Sequence, residues 1–410
     1  VLELRGRIFM KIVVQKYGGT SVGSIDRIKN VANRIIKKKE EGYHIIVVVS
    51  AMGKNTDRLL DMAYEISKNP PKREVDMLIS TGEQVSISLL SMTLNALGCD
   101  AISLTGPQVN IKTVGNHMKS KISDIDDTIL RHHLKDNKVI IVAGFQGVNE
   151  HRDITTLGRG GSDTSAVAIA SKLQCPCEIY TDVDGIYSTD PRLYSKAKKL
   201  DRISYEEMLE MASLGSGVMH GRAIELGQKY GTPIYVASSL EEKPGTIIKE
   251  VAQMMESTAI TGMAIDNNDA IITLDYVPYS IQVISDIFSR LAKKDVNIDM
   301  ISQTSPRDNS VSVSFTVPKI ELKEAKEVLS YFESKYPEIR VNTKEDITKL
   351  SVVGIGMRSQ SGVAAQIFAL LAKENIEIDM VTTSEIKISY VINPENQQTA
   401  IKVIAEEFGL

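Results

Sequence analysis

A chain of 410 residues, 42% apolar but only 5% aromatic and without tryptophan, has the length for two or three domains and the composition for well-filled aliphatic cores. A formal net charge of −4 and the lack of any sustained basic block give no electrostatic support for binding nucleic acid or an anionic membrane. No apolar run reaches transmembrane length and no signal-peptide pattern opens the sequence, so a cytoplasmic protein is expected.

Residues Val1 to Met10 read as an appended or mis-started leader, with the first organised strand beginning at Lys11. Ile12 to Gln15 is a short apolar strand, followed by Lys16-Tyr17-Gly18-Gly19-Thr20-Ser21. A helix from about Ser24 to Glu41 comes next, with Ile25, Ile28, Val31, Ala32, Ile35 and Ile36 on one face and Gly42 ending it. The unbroken β-branched run Ile45 to Val49 predicts a strand buried on both faces, which is βαβ logic. Val75 to Ile79 continues the alternation as a further strand, and Ser80-Thr81-Gly82-Glu83 opens a helix carrying Val85, Leu89, Leu90 and Leu94. Ala101–Leu104, Val139–Ala143, Glu178–Thr181 and Ile234–Ala237 are further buried strands. Polar and glycine-rich residues recur just after these strands, where open α/β sheets place their ligand sites, so the expected architecture is a doubly wound, mainly parallel α/β layer structure.

Thr155 to Ala166 is the densest of these stretches, with three glycines, Arg159 and five hydroxyl residues in twelve positions. Glycines let backbone amides approach a ligand, a helix start offers free N–H groups, and an arginine grips a carboxylate or phosphate with two prongs. Lys16 precedes its glycines rather than following them, so this is not a Walker A loop. Beside other glycine-rich turns it becomes a candidate to neutralise a transferring phosphoryl group. Cys99, Cys175 and Cys177 fit neither a disulfide framework nor a zinc site and are expected to be buried thiols. His132-His133 falls in a charged helical stretch expected to be solvated, and no metal site made purely of side chains is expected.

From Lys243-Pro244-Gly245-Thr246 onward the pattern changes, and the chain repeats itself. Ile287 to Lys293 with Asn297 to Ile301 recurs as Ile367 to Lys373 with Glu377 to Val381, each residue 80 positions on. Each copy reads strand, loop, helix, strand, strand, helix, a ferredoxin-like module, and two such modules can pair sheet edges and bury a ligand between them.

The segments at Lys16–Ser21, Ser50–Gly53, Ser80–Glu83, Gly144–Gly147, Thr155–Asp163 and Thr181–Tyr187 together resemble those of aspartate kinases, of the amino-acid kinase fold. The tail repeat resembles that family's paired ACT regulatory domains. The resemblance covers the chain after Met10. It implies ATP-dependent phosphorylation of the side-chain carboxylate of L-aspartate, at the start of lysine, threonine and methionine synthesis. It implies Lys16 as the phosphate-stabilising lysine with the amides of Gly18 and Gly19, and Asp163 as organiser of the reacting centre. Arg159 would take the substrate α-carboxylate and Glu83 its α-amino group, with Ser50, Thr56, Gly160, Gly161 and Ser162 completing the aspartate pocket. Thr181, Asp182, Tyr187 and Arg192 would line the nucleotide site, with Mg²⁺ arriving on ATP.

The same resemblance implies a catalytic domain over 10–248, a linker over 249–257 and tandem ACT domains over 258–410. The first repeat spans about 268–340, and the second about 345–410 together with 258–266. The turn Pro278-Tyr279-Ser280-Ile281 precedes the first repeat's helix, and Asn297, Asp299 and Gln303 are expected on the following strand. Ser280, Ile281, Asn297, Asp299 and Gln303 would bind an amino-acid effector, lysine or threonine or both. A homodimer or dimer of dimers through the ACT units is expected. Glycine stands at Gly217 and Gly221 where such families carry lysine and proline, and Val109-Asn110 replaces a usual Ala-Gly, so altered nucleotide affinity is expected. The alternatives are a catalytically decayed amino-acid sensor and a kinase for a glutamate-type substrate.

Overall fold

A computed structural model describes residues 10–214, 217–250 and 258–410. The expected leader up to residue 9, most of the expected linker and Gly215 with Ser216 lie outside the described residues. Two compact units emerge, the first comprising 10–186, 199–212 and 217–250, the second 187–198, 213–214 and 258–410.

In the first unit the elements follow as β1 (Ile12–Tyr17), α1 (Ile25–Glu40), β2 (His44–Val49), α2 (Asn55–Ile66), α3 (Lys72–Ile79), α4 (Thr81–Ala96) and β3 (Ala101–Leu104). Then come β4 (Ile111–Val114), β5 (Lys121–Ile125), α5 (Thr128–Lys135), β6 (Val139–Ala143), β7 (Gln146–Val148), β8 (Ile154–Thr156), α6 (Gly161–Leu173) and β9 (Cys177–Thr181). The last are β10 (Arg202–Ile203), α7 (Tyr205–Ser213), α8 (Gly221–Tyr230), β11 (Ile234–Ser238) and β12 (Thr246–Ile248). The main sheet has the order β10-β12-β11-β9-β1-β2-β6-β3, parallel from β11 to β3. Alternation along its central strands fills both faces. Val13, Tyr17, Ile45, Val47 and Val49 pack with α1 and α4, while Val14, Ile46 and Val48 are equally buried on the face where α6 lies along β1 and β2. A smaller sheet, β5-β4-β7-β8, stands beside it.

Two expectations are corrected. Val75–Ile79 is not a strand but the body of α3: Val75, Asp76 and Ile79 are buried at one-turn spacing, and Val75 and Ile79 pack on Leu59 and Ala63 of α2. Five mostly apolar residues do not separate the two periods, and Pro71, immediately before α3, favours a helix start. Thr155 and Thr156, read as the opening of a loop, are fully buried in β8.

In the second unit β13 (Gly262–Asp266) precedes β14 (Asp269–Pro278), α9 (Ile281–Lys293), β15 (Ile301–Gln303), β16 (Ser310–Pro318), α10 (Leu322–Lys335) and β17 (Arg340–Lys344). The second copy follows as β18 (Thr348–Val353), α11 (Val363–Lys373), β19 (Ile378–Thr383), β20 (Lys387–Ile392) and α12 (Gln397–Phe408). The sheets run β15-β16-β14-β17 and β13-β18-β20-β19, so β13 takes in the second copy the place that β17 takes in the first. Each copy has its own core, around Phe315 and Phe332 in one and Tyr390 and Ile401 in the other. Ile271, Met300, Ile347, Met380 and Val391 form a further cluster drawn from both. Beside it Lys349, 3% exposed, meets Asp269 at 2.5 Å, Asp299 at 2.9 Å and Asp266 at 3.8 Å. Burial works against the charge of Lys349, but its hydrogen bonds to Asp269 and Asp299 outweigh this and hold its pKa above the usual value. Among the described residues no helix is long and apolar enough to cross a membrane.

Candidate active site

The C-terminal ends of β1, β2 and β6 meet the first turns of α4 and α6, and the contacts close a ring. Pleat alternation points Lys16 to the α6 side of the sheet, where its ammonium meets Asp163 of the first α6 turn in an ion pair at 2.7 Å. Both residues are at least nine-tenths buried. Gly18 and Gly19 turn the chain against the loop after β2: Gly53 N donates to Gly19 O at 3.0 Å, and a Cβ on Gly19 would lie 2.7 Å from Ala51 O. Ala51 in turn abuts Gly82, where a Cβ would come within 2.8 Å of its own. The loop after β6 closes the circuit, with Gln146 Nε2 donating to Ser80 O at 2.9 Å and Phe145 N to Ser165 Oγ at 3.1 Å. Gly144 faces Ser162, whose Oγ would be 2.8 Å from an added Cβ.

Glu83 is the electrostatic anomaly of this ring. It is 2% exposed, its Oε1 accepts from Ala51 N at 3.2 Å, and its Oε2 is buried with no hydrogen-bond partner among the described residues. Burial pushes its carboxyl up to about 8, the two backbone amides that it faces offsetting only part. Such a group is at rest as a neutral acid and becomes an anion when a cation is delivered to it.

The loop entering α6 needs its glycines. Gly158 and Gly160 have φ of +76° and +67°, and a Cβ on Gly160 would lie 2.2 Å from the His220 side chain. Gly161 abuts Phe145. Arg159 between them is exposed, which leaves its guanidinium available to a ligand. Ser50 and Thr56 are half-buried on the loop after β2 and the first turn of α2, respectively.

Around Lys16 the ring continues toward β9. Gly18 N donates to Tyr180 O at 3.3 Å, Thr181 O accepts from Ser239 N at 2.8 Å, and Ser21 Oγ meets Ser239 Oγ at 2.8 Å. Thr181 Oγ1 donates to Asp182. Ser239, the partner of Ser21, was missed in the sequence because only the closing of β9 and β11 beside β1 brings the two together. Tyr187 and Arg192 belong to the second unit, where Arg192 is exposed and holds Asp190 at 2.7 Å. Gly217 is exposed with φ +64°, and a Cβ on Gly221 would meet only the end of Leu209 at 3.4 Å.

Asn297 and Asp299 of the expected effector set are not on a strand; they lie in the loop before β15 and are already engaged. Asn297 donates to Glu321 through N and Nδ2, at 2.6 and 2.8 Å, and Asp299 accepts from Lys349. Ser280 is the N-cap residue of α9, with Ile281 and Gln303 exposed. At the end of α5, the C-cap residue Asp136 joins His132 and His133, the three ligand atoms lying within 4.8 Å of one another. The three cysteines are free and buried, and Cys175 is pushed up to about 12 by burial.

Comparison with known proteins agrees with this geometry. Residues 11–238 match the amino acid kinase family, and residues 277–331 and 350–408 match the ACT domain. Aspartokinase 2 of Bacillus subtilis is 46% identical, and the aspartokinase of Geobacillus stearothermophilus 47%, each over 98% of this chain and 98% of its own length. Among solved structures, Escherichia coli aspartokinase III in complex with lysine and aspartate aligns with a TM-score of 0.79 at 24% identity, over 97% of this chain and 99% of its own, a likeness of fold. Identity of this order, sustained from the first strand of the kinase unit through the second ACT copy, shows that the chain belongs to the aspartate kinase family.

Proposed function

We propose that the chain transfers the γ-phosphoryl group of ATP to the side-chain carboxylate of L-aspartate, giving 4-phospho-L-aspartate for lysine, threonine and methionine synthesis. An end-product amino acid bound at the ACT pair, lysine or threonine or both, would lower the rate. The observation that carries the reading is the buried Lys16–Asp163 pair sharing one ring with the partnerless Glu83 oxygen.

The nucleophile is an aspartate carboxylate, ionised at neutral pH, so no general base is required. What the site must do is bring one anion to another. Lys16, held by Asp163 and backed by the Gly19 amide, neutralises charge on the transferring group; the Gly18 amide, expected to share this role, is taken by Tyr180 O. Glu83 takes the α-ammonium and Arg159 the α-carboxylate, with Ser50, Thr56, Gly160, Gly161 and Ser162 around them, so an amino acid is read at both ends. Thr181 and Asp182 border the nucleotide. Mg²⁺ bound to ATP would supply further charge neutralisation, and Asp163 is the carboxylate of the ring suited to face it, in keeping with a hard cation's preference for oxygen. A homodimer or dimer of dimers in the cytoplasm fits the paired ACT sheets and the three free cysteines.

A decayed amino-acid sensor is the second reading, favoured by Gly217 and Gly221. A coupled ATP assay across amino acids, with and without lysine and threonine, separates the two. Aspartate-dependent turnover that Lys16→Ala abolishes, with effector binding kept, is expected. Protein that binds ATP and phosphorylates no amino acid would overturn the kinase reading.

A further inference from the structure

The segment that presents Arg159 is held by two charged side chains that do not belong to the ring. Asp76 stands on the inner face of α3 and is fully buried. Its carboxylate accepts from Thr156 Oγ1 at 2.5 Å and from Met118 N at 3.1 Å, and His117 Nδ1 lies 2.6 Å from its Oδ2. Arg222, in the first turn of α8, donates from Nη1 to Leu157 O at 2.5 Å and from Nη2 to Ser120 O at 3.0 Å. Ser120 N donates to Thr156 O at 3.0 Å, which ties the turn after β4 to the end of β8. Residues 116–120 and 156–157 are thus one hydrogen-bonded body, gripped through Thr156 from α3 and through Leu157 from α8.

Both grips end immediately before Gly158, whose φ is positive and beyond which Arg159 projects without a clamp of its own among the described residues. A side chain as long as arginine reads a carboxylate bidentately only if its Cα is fixed, since small displacements at the root become large ones at the guanidinium. Burial depresses the pKa of Arg222, an environment in which a cation persists only because backbone carbonyls solvate it. Asp76 and Arg222 both direct their charge into backbone and neighbouring side chains of this body, which marks them as holding groups.

We propose that Asp76 and Arg222 are positioning residues for Arg159, fixing the Thr156-Leu157 root of its loop so that the guanidinium meets the α-carboxylate of aspartate. The proposal rests on the reading of Arg159 as carboxylate anchor. Steady-state kinetics on the full chain test it with Arg222→Met, Arg222→Lys, Asp76→Asn and Arg159→Ala, alone and combined. Arg222→Met and Asp76→Asn are expected to raise KM for aspartate by about tenfold or more while leaving KM for ATP close to the original value. Arg222→Lys, which restores one donor, is expected to recover part of the loss. In the Arg159→Ala background, Arg222→Met is expected to change KM for aspartate no further, because the group it positions is gone.

An Arg222→Met effect that multiplies undiminished onto Arg159→Ala, or that falls equally on both substrates' KM, would overturn the positioning role. An unchanged KM for aspartate in Arg159→Ala would instead overturn the anchor reading on which the proposal rests. Should Arg222→Met fail to fold, the Arg222→Lys and Asp76→Asn pair with Arg159→Ala carries the same comparison.

Discussion

At the scale of single residues, Glu83 sets a pH dependence whose sign follows from burial. Its carboxyl, raised to about 8, is mostly protonated at neutral pH in the ligand-free protein and must ionise to hold an ammonium. Aspartate binding near pH 7 is therefore expected to release close to one proton, measurable by calorimetry in buffers of different ionisation heat, and to weaken by up to about tenfold per unit as pH falls below about 8. The same shift acts on stability. An acid raised in the fold holds its proton longer there, so its contribution is intact at low pH and lost as pH rises through about 8. Denaturant melts of Glu83→Gln should accordingly match the original protein near pH 4 and exceed it by on the order of 2–4 kcal/mol near pH 9. Lys16, Glu83, Arg159 and Asp163 were legible in the sequence because each stands in a short glycine- or hydroxyl-rich segment. Asp76 and Arg222 were not. Asp76 is embedded in an apolar run, and the partners of Arg222 are carbonyls 65 and 102 residues away, a relation without a local signature.

At the scale of elements, the parallel strands were readable because unbroken β-branched runs have few other uses, and α1 because its apolar face keeps a 3.6-residue period. α3 was misread because eight residues give too few turns for that period to declare itself. The small sheet β5-β4-β7-β8 escaped because its strands are three to five residues long, with polar residues throughout. α8 offers a test of how sequence and helix geometry meet. His220 is its N-cap, Gly221 is the first helical residue, and a Cβ there would touch only the end of a leucine. Proline suits that position, having its φ preset and no N–H to leave unpaired. Gly221→Pro should raise stability by about 0.4–1 kcal/mol, seen as an upward shift of the thermal midpoint.

At the scale of the whole molecule, the 80-residue offset announced a duplicated module, and the structure adds what the duplication encloses. Lys349 is buried against Asp269, with the partly exposed Asp266 and the half-exposed Asp299 completing the cluster. Asp269 is pushed up by burial and pulled down by Lys349. Lys349→Met would leave three carboxylates facing one another, and a loss of about 3–5 kcal/mol in the stability of the second unit is expected at neutral pH. Protonation of Asp269, whose carboxyl burial already pushes up, relieves that repulsion, so the deficit should shrink as pH falls from neutral, which chemical denaturation at neutral and mildly acid pH would check. Because Asp299 is bound to Lys349, an effector that used Asp299 would have to compete with this cluster. The sequence shows neither fact, since the four residues are distributed over 84 positions of the chain.

The strand β13 has a consequence for how the second copy comes into being. It lies before the first copy in sequence, yet it completes the sheet of the second. Joining it to β18 requires closure of a segment of about 80 residues, which for a flexible chain would cost about 4 kcal/mol of entropy. The first copy removes most of that cost, because its own first and last strands are antiparallel neighbours, with Ile271 opposite Lys344, and so deliver Asp266 beside Lys349 once folded. The earlier copy thus serves as a jig for the later one. Damage to its core should delay assembly of both sheets, whereas damage to the later core should leave the earlier copy's folding rate unchanged.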